Sequence, residues 1–187
     1  MKTMKKEEKM SIGGHTRRLV TAALFAAICF GMTMVSVPLP VVGYGNLGDC
    51  FVLLSGFLLG PLWGAAAAGL GTALADVALG WAVYAPATFV IKALMAVSAF
   101  YVGKLLSGAS AGLLRRTVSH VCAAIVGEII MVGGYFAYES VLYGVPAALG
   151  SLVGNSTQAV VGIVLATTLI TVIRSNKVLE RVFGSRK

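Results

Sequence analysis

The feature that most constrains the fold of this chain is a succession of six long apolar segments that contain very few charges. These segments cover approximately residues 19–37, 47–60, 61–79, 86–106, 118–139 and 147–173. Charged residues make up 12% of the 187 residues, against about 25% in soluble domains. Because a membrane-spanning helix needs about 20 residues, we predict an all-α integral membrane protein, a bundle of six transmembrane helices.

The positive charges indicate how this bundle is oriented. Of the 15 Lys and Arg residues, six precede the first apolar segment, five follow the last, and three (Lys104, Arg115 and Arg116) lie at the end of the fourth or between the fourth and the fifth. Because cytoplasmic loops are enriched in Lys and Arg, both termini are predicted to be cytoplasmic. The net charge of +8 is therefore orientation charge, and no nucleic-acid partner is expected. The expected organisation is a basic cytoplasmic tail at 1–18, a transmembrane domain at 19–173 and a second basic cytoplasmic tail at 174–187.

Small residues predict close helix packing at two places. The third segment is almost all small between 64 and 75, which favours a position at the centre of the bundle. The first helix carries two alanine stripes at four-residue spacing, Ala22/Ala26 and Ala23/Ala27. Such a stripe packs inside the bundle or docks another membrane subunit, and periodicity alone favours internal packing.

No motif in the chain supports catalysis or metal binding. The G-x-G-x-x-G match at 43–48 is followed by an apolar helix and not by a βαβ unit, so it predicts no dinucleotide site. Cys29, Cys50 and Cys122 form no C-x-x-C pair, and neither a Walker sequence nor a hydrolase motif occurs. We therefore predict no enzymatic activity, no metal and no cofactor.

Ionisable side chains within the apolar segments gather toward the predicted outer face. Each costs about 2.5–3.5 kcal/mol to insert into a bilayer and marks a candidate site. The charged members and the nearby amides are Asp49, Asp76, Lys92, Glu128, Glu139, Asn46, Asn155 and Gln158. Because the inner halves of the helices are nearly free of charge, the pattern favours a pocket that opens outward and is closed below.

Three of these charges oppose the dipole of their own helix. Lys92 lies near an N-terminus, while Asp76 and Glu139 lie near C-termini, so each needs another partner. We expect Lys92 to pair with Asp76, Glu139 or Glu128, either permanently or until a ligand replaces that partner. For Asp49, near the N-terminus of the second helix, capping of that helix by Asn46 or Asp49 is a sufficient explanation.

Aromatic side chains accompany the polar ones. Tyr135 follows Glu128 at helical spacing, and this polar-aromatic stripe continues to Tyr138 and Glu139. Trp81 and Tyr84, in the neighbouring outer loop, are placed to cover a flat ligand, although an interfacial aromatic belt explains them equally well.

Several motifs together resemble the S components of energy-coupling factor (ECF) vitamin transporters, and most closely the riboflavin-transporter-like group. They are Asn46-Leu-Gly-Asp49, Gly60-Pro61, Gly69-Leu-Gly-Thr-Ala-Leu-Ala-Asp76, Gly80, Tyr84-Ala-Pro86-Ala-Thr88 and Lys92. The likeness covers motifs from about residue 17 to residue 106, whereas the last two helices match only in size and topology.

The resemblance implies the substrate-capture subunit of an importer in the bacterial cell membrane. Such a subunit binds a water-soluble vitamin near the outer face and works with a membrane coupling (T) subunit and two cytoplasmic ATPases. It also implies that Ala22/Ala26 or Ala23/Ala27 docks the coupling subunit. The expected substrate-binding residues are Tyr44, Asn46, Asp49, Trp81, Tyr84, Lys92, Glu128, Tyr135, Glu139, Asn155 and Gln158.

The substrate itself is less closely defined by the sequence. Aromatics, amides and both charge signs suit a small planar heterocycle, and we favour a pyridine or pyrimidine vitamin precursor, with riboflavin next. The alternative is a self-sufficient small channel or secondary transporter. That alternative requires polar residues through the inner half or an internal repeat with broken helices, and the sequence has neither.

Overall fold

The computed structural model describes residues 2–38, 44–108 and 112–176, with side chains over 14–35, 46–108 and 112–176. The helices are α1 (Lys2–Met34), α2 (Gly48–Leu59), α3 (Pro61–Ala78), α4 (Ala85–Ser107), α5 (Leu113–Tyr143) and α6 (Val145–Ser175). Two short antiparallel strands, β1 (Ser36–Pro38) and β2 (Tyr44–Asn46), form a hairpin between α1 and α2. The predicted helical architecture is confirmed, with this hairpin as an addition.

Within the described residues, four stretches of helix are long and apolar enough to cross a membrane: Gly14–Met34, α4, α5 and α6. Large apolar side chains cover their outer surfaces, among them Val141, which is 86% exposed, and Leu105, which is 80% exposed. An apolar surface of this kind is typical of a protein that contacts lipid. Six complete spans remain a prediction, since α2 has only 12 residues and is about 18 Å long, less than the roughly 30 Å of a hydrocarbon core.

The short helix α2 occupies the centre of the bundle. It contacts α1, α3, α4 and α6, and all but two of its residues are buried. The sequence predicted this central position for α3, but α3 buries only one face and exposes the other, which includes Leu70 and Leu74. Small residues on α3 therefore serve close packing on one side and do not place the whole helix inside the bundle.

Close backbone approaches hold α2 and α3 in place. A Cβ atom at Gly56 would lie 2.3 Å from the carbonyl oxygen of Ala96 on α4. A Cβ atom at Gly71 would lie 2.3 Å from the carbonyl oxygen of Ala26 on α1. Only glycine fits at these distances, so the two positions set how closely the helices pack.

The start of α1 and both ends of α5 and α6 extend further than the apolar segments predicted, whereas α2 and α3 do not. α1 begins at Lys2 and so includes the residues expected to form an N-terminal tail. Arg115 and Arg116 lie in the first turns of α5, and the predicted connection at 140–146 is reduced to a turn at Gly144, whose φ is +85°. Hydropathy marks the part of a helix that suits lipid, whereas the helix itself continues into polar sequence until a turn residue ends it.

The bundle has two chemically different ends. The hairpin end contains β1 and β2, the turn at 79–84 and Gly144, and its described residues include no Lys or Arg. The opposite end, the basic end, holds Arg17, Lys104, Arg115 and Arg174. The buried charged and amide side chains lie at the middle of their helices or nearer the hairpin end: Asp49, Lys92, Glu128, Glu139 and Gln158.

Candidate binding site

A buried ion pair lies at the centre of the polar residues. Asp49, in the first turn of α2, is fully buried, and Lys92, about two turns into α4, is 3% exposed. Lys92 Nζ donates to Asp49 Oδ1. The sequence-based expectation that Lys92 pairs with Asp76, Glu139 or Glu128 is therefore wrong. It failed because α2 lies inside the bundle, so its first turn is next to the ammonium group of Lys92. The depth of each residue along its own helix does not predict this contact.

The second oxygen of Asp49 continues this pair into a chain of hydrogen bonds. Gln158 Nε2, on α6, donates to Asp49 Oδ2 at 2.6 Å. Gln158 Oε1 in turn accepts bonds from the side-chain amide of Asn46 at 3.1 Å and from its backbone N–H at 3.4 Å. The chain therefore runs from α4 through α2 and α6 to the last residue of the hairpin.

The hairpin enters α2 through a local hydrogen bond. Asn46 Oδ1 accepts from the backbone N–H of Gly48 at 3.0 Å, which satisfies one of the free donors at the start of the helix. The N-cap residue itself is Leu47, whose side chain makes no capping bond, and of the two residues considered from the sequence it is Asn46, one residue earlier, that satisfies a donor. Asp49 uses both carboxylate oxygens for Lys92 and Gln158 instead.

Tyr135 lies beside the ion pair. Its hydroxyl is 2.9 Å from the hydroxyl of Thr88, and its ring centre is 5.4 Å from Lys92 Nζ, close enough for a cation–π interaction. Thr88 also contacts the carboxyl group of Asp76. The site thus combines one aromatic face with the charged and amide groups.

Glu128, on α5, differs from the other polar groups of the site. It is 2% exposed, and neither carboxyl oxygen has a hydrogen-bond partner among the described residues. A Cβ atom placed on Gly162 of α6 would lie 2.4 Å from Glu128 Oε1 and 3.1 Å from Asp49 Cβ. The carboxyl group therefore occupies the space that Gly162 leaves open, next to the Lys92–Asp49 pair.

A second group of residues, the mouth cluster, lies at the hairpin end: Trp81, Tyr84, Tyr138, Glu139, Tyr143 and Ser151. The carboxylate of Glu139 accepts bonds from Tyr84, at 3.4 Å, and from Ser151. The Tyr84 ring lies 5.7 Å from that of Tyr138 and 6.2 Å from that of Trp81, which is 59% exposed. Burial and the nearby Glu139 carboxylate raise the pKa of the Tyr84 phenol, so it remains a donor.

The remaining candidate residues fall outside these two groups. Tyr44 belongs to β2, but its side chain lies outside the described residues. Asn155 is half-buried on α6, and the structure gives its side chain no hydrogen bond within the described residues. Sequence reasoning overlooked Thr88, Ser151 and Gly162 as members of the site. Thr88 stood within a motif used for the resemblance, whereas nothing local distinguishes Gly162 from the other helical glycines.

Replacing Gln158 is expected to loosen the hairpin. In Gln158→Leu the two bonds from Asn46 and the bond to Asp49 are all lost, so the amide of Asn46 should exchange with solvent at least about fivefold faster, as follows from about 1 kcal/mol per lost bond. Peptide-level hydrogen exchange over 44–48 measures this. Asn155→Leu, one helical turn away, is the control and should leave the exchange unchanged. If exchange over 44–48 were no faster in Gln158→Leu than in Asn155→Leu, the hairpin would not depend on Gln158.

Comparison with known proteins places these observations in a family. Residues 14–175 match the family model for the S component of the ECF-type riboflavin transporter. The chain is also similar to an uncharacterized protein in the gap 3' region of Pyrococcus woesei, with 35% identity over 140 residues, which cover 74% of this chain and 88% of the relative. The family match extends through α5 and α6, where the sequence alone offered only size and topology.

Proposed function

Because the chain belongs to the family of ECF-type riboflavin transporter S components, we propose that it captures a water-soluble vitamin at the outer membrane face. It delivers that vitamin inward together with a membrane coupling subunit and two cytoplasmic ATPases. Family membership and the apolar helices make it a multi-pass membrane protein of a transporter. A bacterial source for that membrane stays a prediction. The family match also favours this role over a self-sufficient channel or secondary transporter.

The observation that carries the proposal is the hydrogen-bonded chain Lys92–Asp49–Gln158–Asn46, of which the first three members are buried and Asn46 is half-buried. Two charges and two amides inside a lipid-facing bundle are costly to insert, which marks them as a candidate binding site. They come from α4, α2, α6 and the hairpin, so a ligand that contacts them would draw all four elements together. A capture subunit must hold the bound vitamin until the transporter assembles, and contacts from all four elements to the ligand would hold it.

The charge distribution supports an outward-facing hairpin end. Lys104, Arg115, Arg116 and Arg174 lie at the basic end, which the positive-inside rule places in the cytoplasm. The hairpin, the mouth cluster and the ion pair then lie in the outer half of the bilayer. We propose that the aromatic rings of the mouth cluster line the entrance and that the ion-pair chain forms the floor of the site.

The groups of the site suit a planar nitrogen heterocycle. Tyr135 offers a ring face, while Gln158, Asn46 and the carboxyl groups offer donors and acceptors for the ring edge. Flavins, pyrimidines and pyridines share this chemistry. The family description puts riboflavin first among them, ahead of the pyridine and pyrimidine types that the sequence alone favoured.

Mass spectrometry of the protein purified without its partners tests this function. We expect a stoichiometric small molecule to be released on denaturation, and titration of the empty protein should show binding of riboflavin, hydroxymethylpyrimidine or pyridoxine. The compound that binds identifies the substrate class. An empty preparation that binds none of these compounds would contradict the capture role.

A further inference from the structure

We propose that Glu128 binds the vitamin as a neutral carboxylic acid and recognises a ring edge on which a hydrogen-bond donor and an acceptor stand side by side. This inference rests on the proposed function and specifies which part of the vitamin Glu128 recognises. Flavins carry such an edge in their imide group, and aminopyrimidines carry one in the amino group with its neighbouring ring nitrogen.

The first observation is that Glu128 has no partner within the described protein. Its side chain is 2% exposed, and both carboxyl oxygens are buried without a hydrogen bond among the described residues. Buried polar groups in proteins are almost always bonded, so an unsatisfied pair of oxygens at a polar site calls for a partner beyond the described residues. A bound ligand supplies that partner.

The second observation is the charge of the surroundings. The nearby cation, Lys92, donates to Asp49, and the other oxygen of Asp49 is bonded to Gln158. On the α6 side, Glu128 faces the backbone at Gly162, which brings no side-chain charge. An ionised Glu128 would therefore be a second carboxylate beside Asp49 with no hydrogen bond of its own. Because an isolated buried charge is far more costly than a neutral group, Glu128 keeps its proton.

A neutral carboxyl group has a specific recognition geometry. Its O–H donates and its C=O accepts from the same end of the side chain. An imide or aminopyrimidine edge can meet both at once through two parallel hydrogen bonds, whereas an isolated hydroxyl or a ligand carboxylate cannot. Gly162 permits this arrangement, because any larger side chain there would occupy the position of the carboxyl group.

Two substitutions at Glu128 separate this role from its alternatives. Glu128→Gln keeps an adjacent donor and acceptor, so its Kd for riboflavin should stay within about threefold of the wild-type value. Glu128→Met keeps the length of the side chain but loses both groups, so its Kd should rise by about 10- to 100-fold. Riboflavin methylated at the imide nitrogen, which lacks the donor, should bind more weakly than riboflavin to the wild type and to Glu128→Gln alike.

Infrared difference spectra provide a second readout that does not require the Met variant to fold. Adding riboflavin should shift the carbonyl stretch of a protonated carboxyl group in the wild type, and this band should be absent in Glu128→Gln. Loss of affinity in Glu128→Gln as large as in Glu128→Met would overturn the inference in favour of an ionised carboxylate. Unchanged affinity in Glu128→Met would show that the group does not touch the ligand.

The ligand panel separates failure of this inference from failure of the proposed function. Pyridoxine has no donor next to its ring nitrogen, whereas the amino-substituted hydroxymethylpyrimidine of the panel does. If the wild type binds pyridoxine and neither riboflavin nor this pyrimidine, the capture role stands and the role of Glu128 is refuted. If the folded wild type binds no compound of the panel, the proposed function fails and the inference fails with it.

Discussion

Lys92→Met is expected to lower the free energy of unfolding by about 3–5 kcal/mol, because it leaves Asp49 charged, buried and without its cation. Thermal or denaturant unfolding of the purified protein in detergent measures this change. Lys104→Met is the matched control, since Lys104 lies on the same helix and is exposed. Its ammonium group lies 5.6 Å from the centre of the Phe100 ring. The control should change stability by less than about 1 kcal/mol.

A double substitution distinguishes the ion pair from simple packing. Asp49→Leu combined with Lys92→Met replaces both charges with apolar groups, which is often neutral or stabilising for a buried pair. We expect it to recover part of the lost stability, because Gln158 Nε2 is still left without its acceptor, and to bind the vitamin more weakly than the wild type. If Lys92→Met left both stability and binding unchanged, the ion pair would have neither a structural nor a binding role.

The helical fold could be predicted from the sequence because its signal is local. Each apolar segment predicts its own helix without reference to the rest of the chain. Turn residues such as Gly60-Pro61 mark where one helix ends and the next begins. The six helices were therefore placed correctly, with errors concentrated at their polar ends. The hairpin between α1 and α2 lacked such a signal, because strands of three residues carry too little periodicity to be detected.

The partners within the site could not be predicted in the same way. Asp49 and Lys92 are 43 residues apart, and Asp49 and Gln158 are 109 apart, so their contacts depend on how α2 is inserted between its neighbours. The predicted topology placed these residues near the outer face, but their depth along each helix pointed to the wrong acids as partners for Lys92. The residue types of the site follow from the cost of burying polar groups, whereas the pairing follows from tertiary packing.

The two alanine stripes of α1 show how the structure resolves an ambiguity in the sequence. Ala22 is 6% exposed within the core, and Ala26 lies against Gly71 of α3, so this stripe packs inside the chain. Ala23 and Ala27 are exposed, next to Leu19 and other apolar side chains. Of the two stripes that the resemblance offered for docking, we therefore propose Ala23/Ala27.

Ala23→Leu combined with Ala27→Leu is expected to reduce vitamin uptake to background in cells that also produce the coupling subunit and both ATPases. Close approach of two membrane helices requires small side chains, and two leucines on this face would hold the partner helix away. Binding of the vitamin by the isolated protein should be unchanged, because both positions point away from the bundle.

The matched control for docking is Ala137→Leu, which enlarges an exposed alanine on α5. It should leave both uptake and binding at wild-type levels, so that any loss in the α1 variant is specific to that face. Uptake that persists in the α1 variant would place the coupling subunit on another surface. A parallel loss of vitamin binding would instead show that Ala23 and Ala27 support the fold, because a docking surface affects transport without affecting capture.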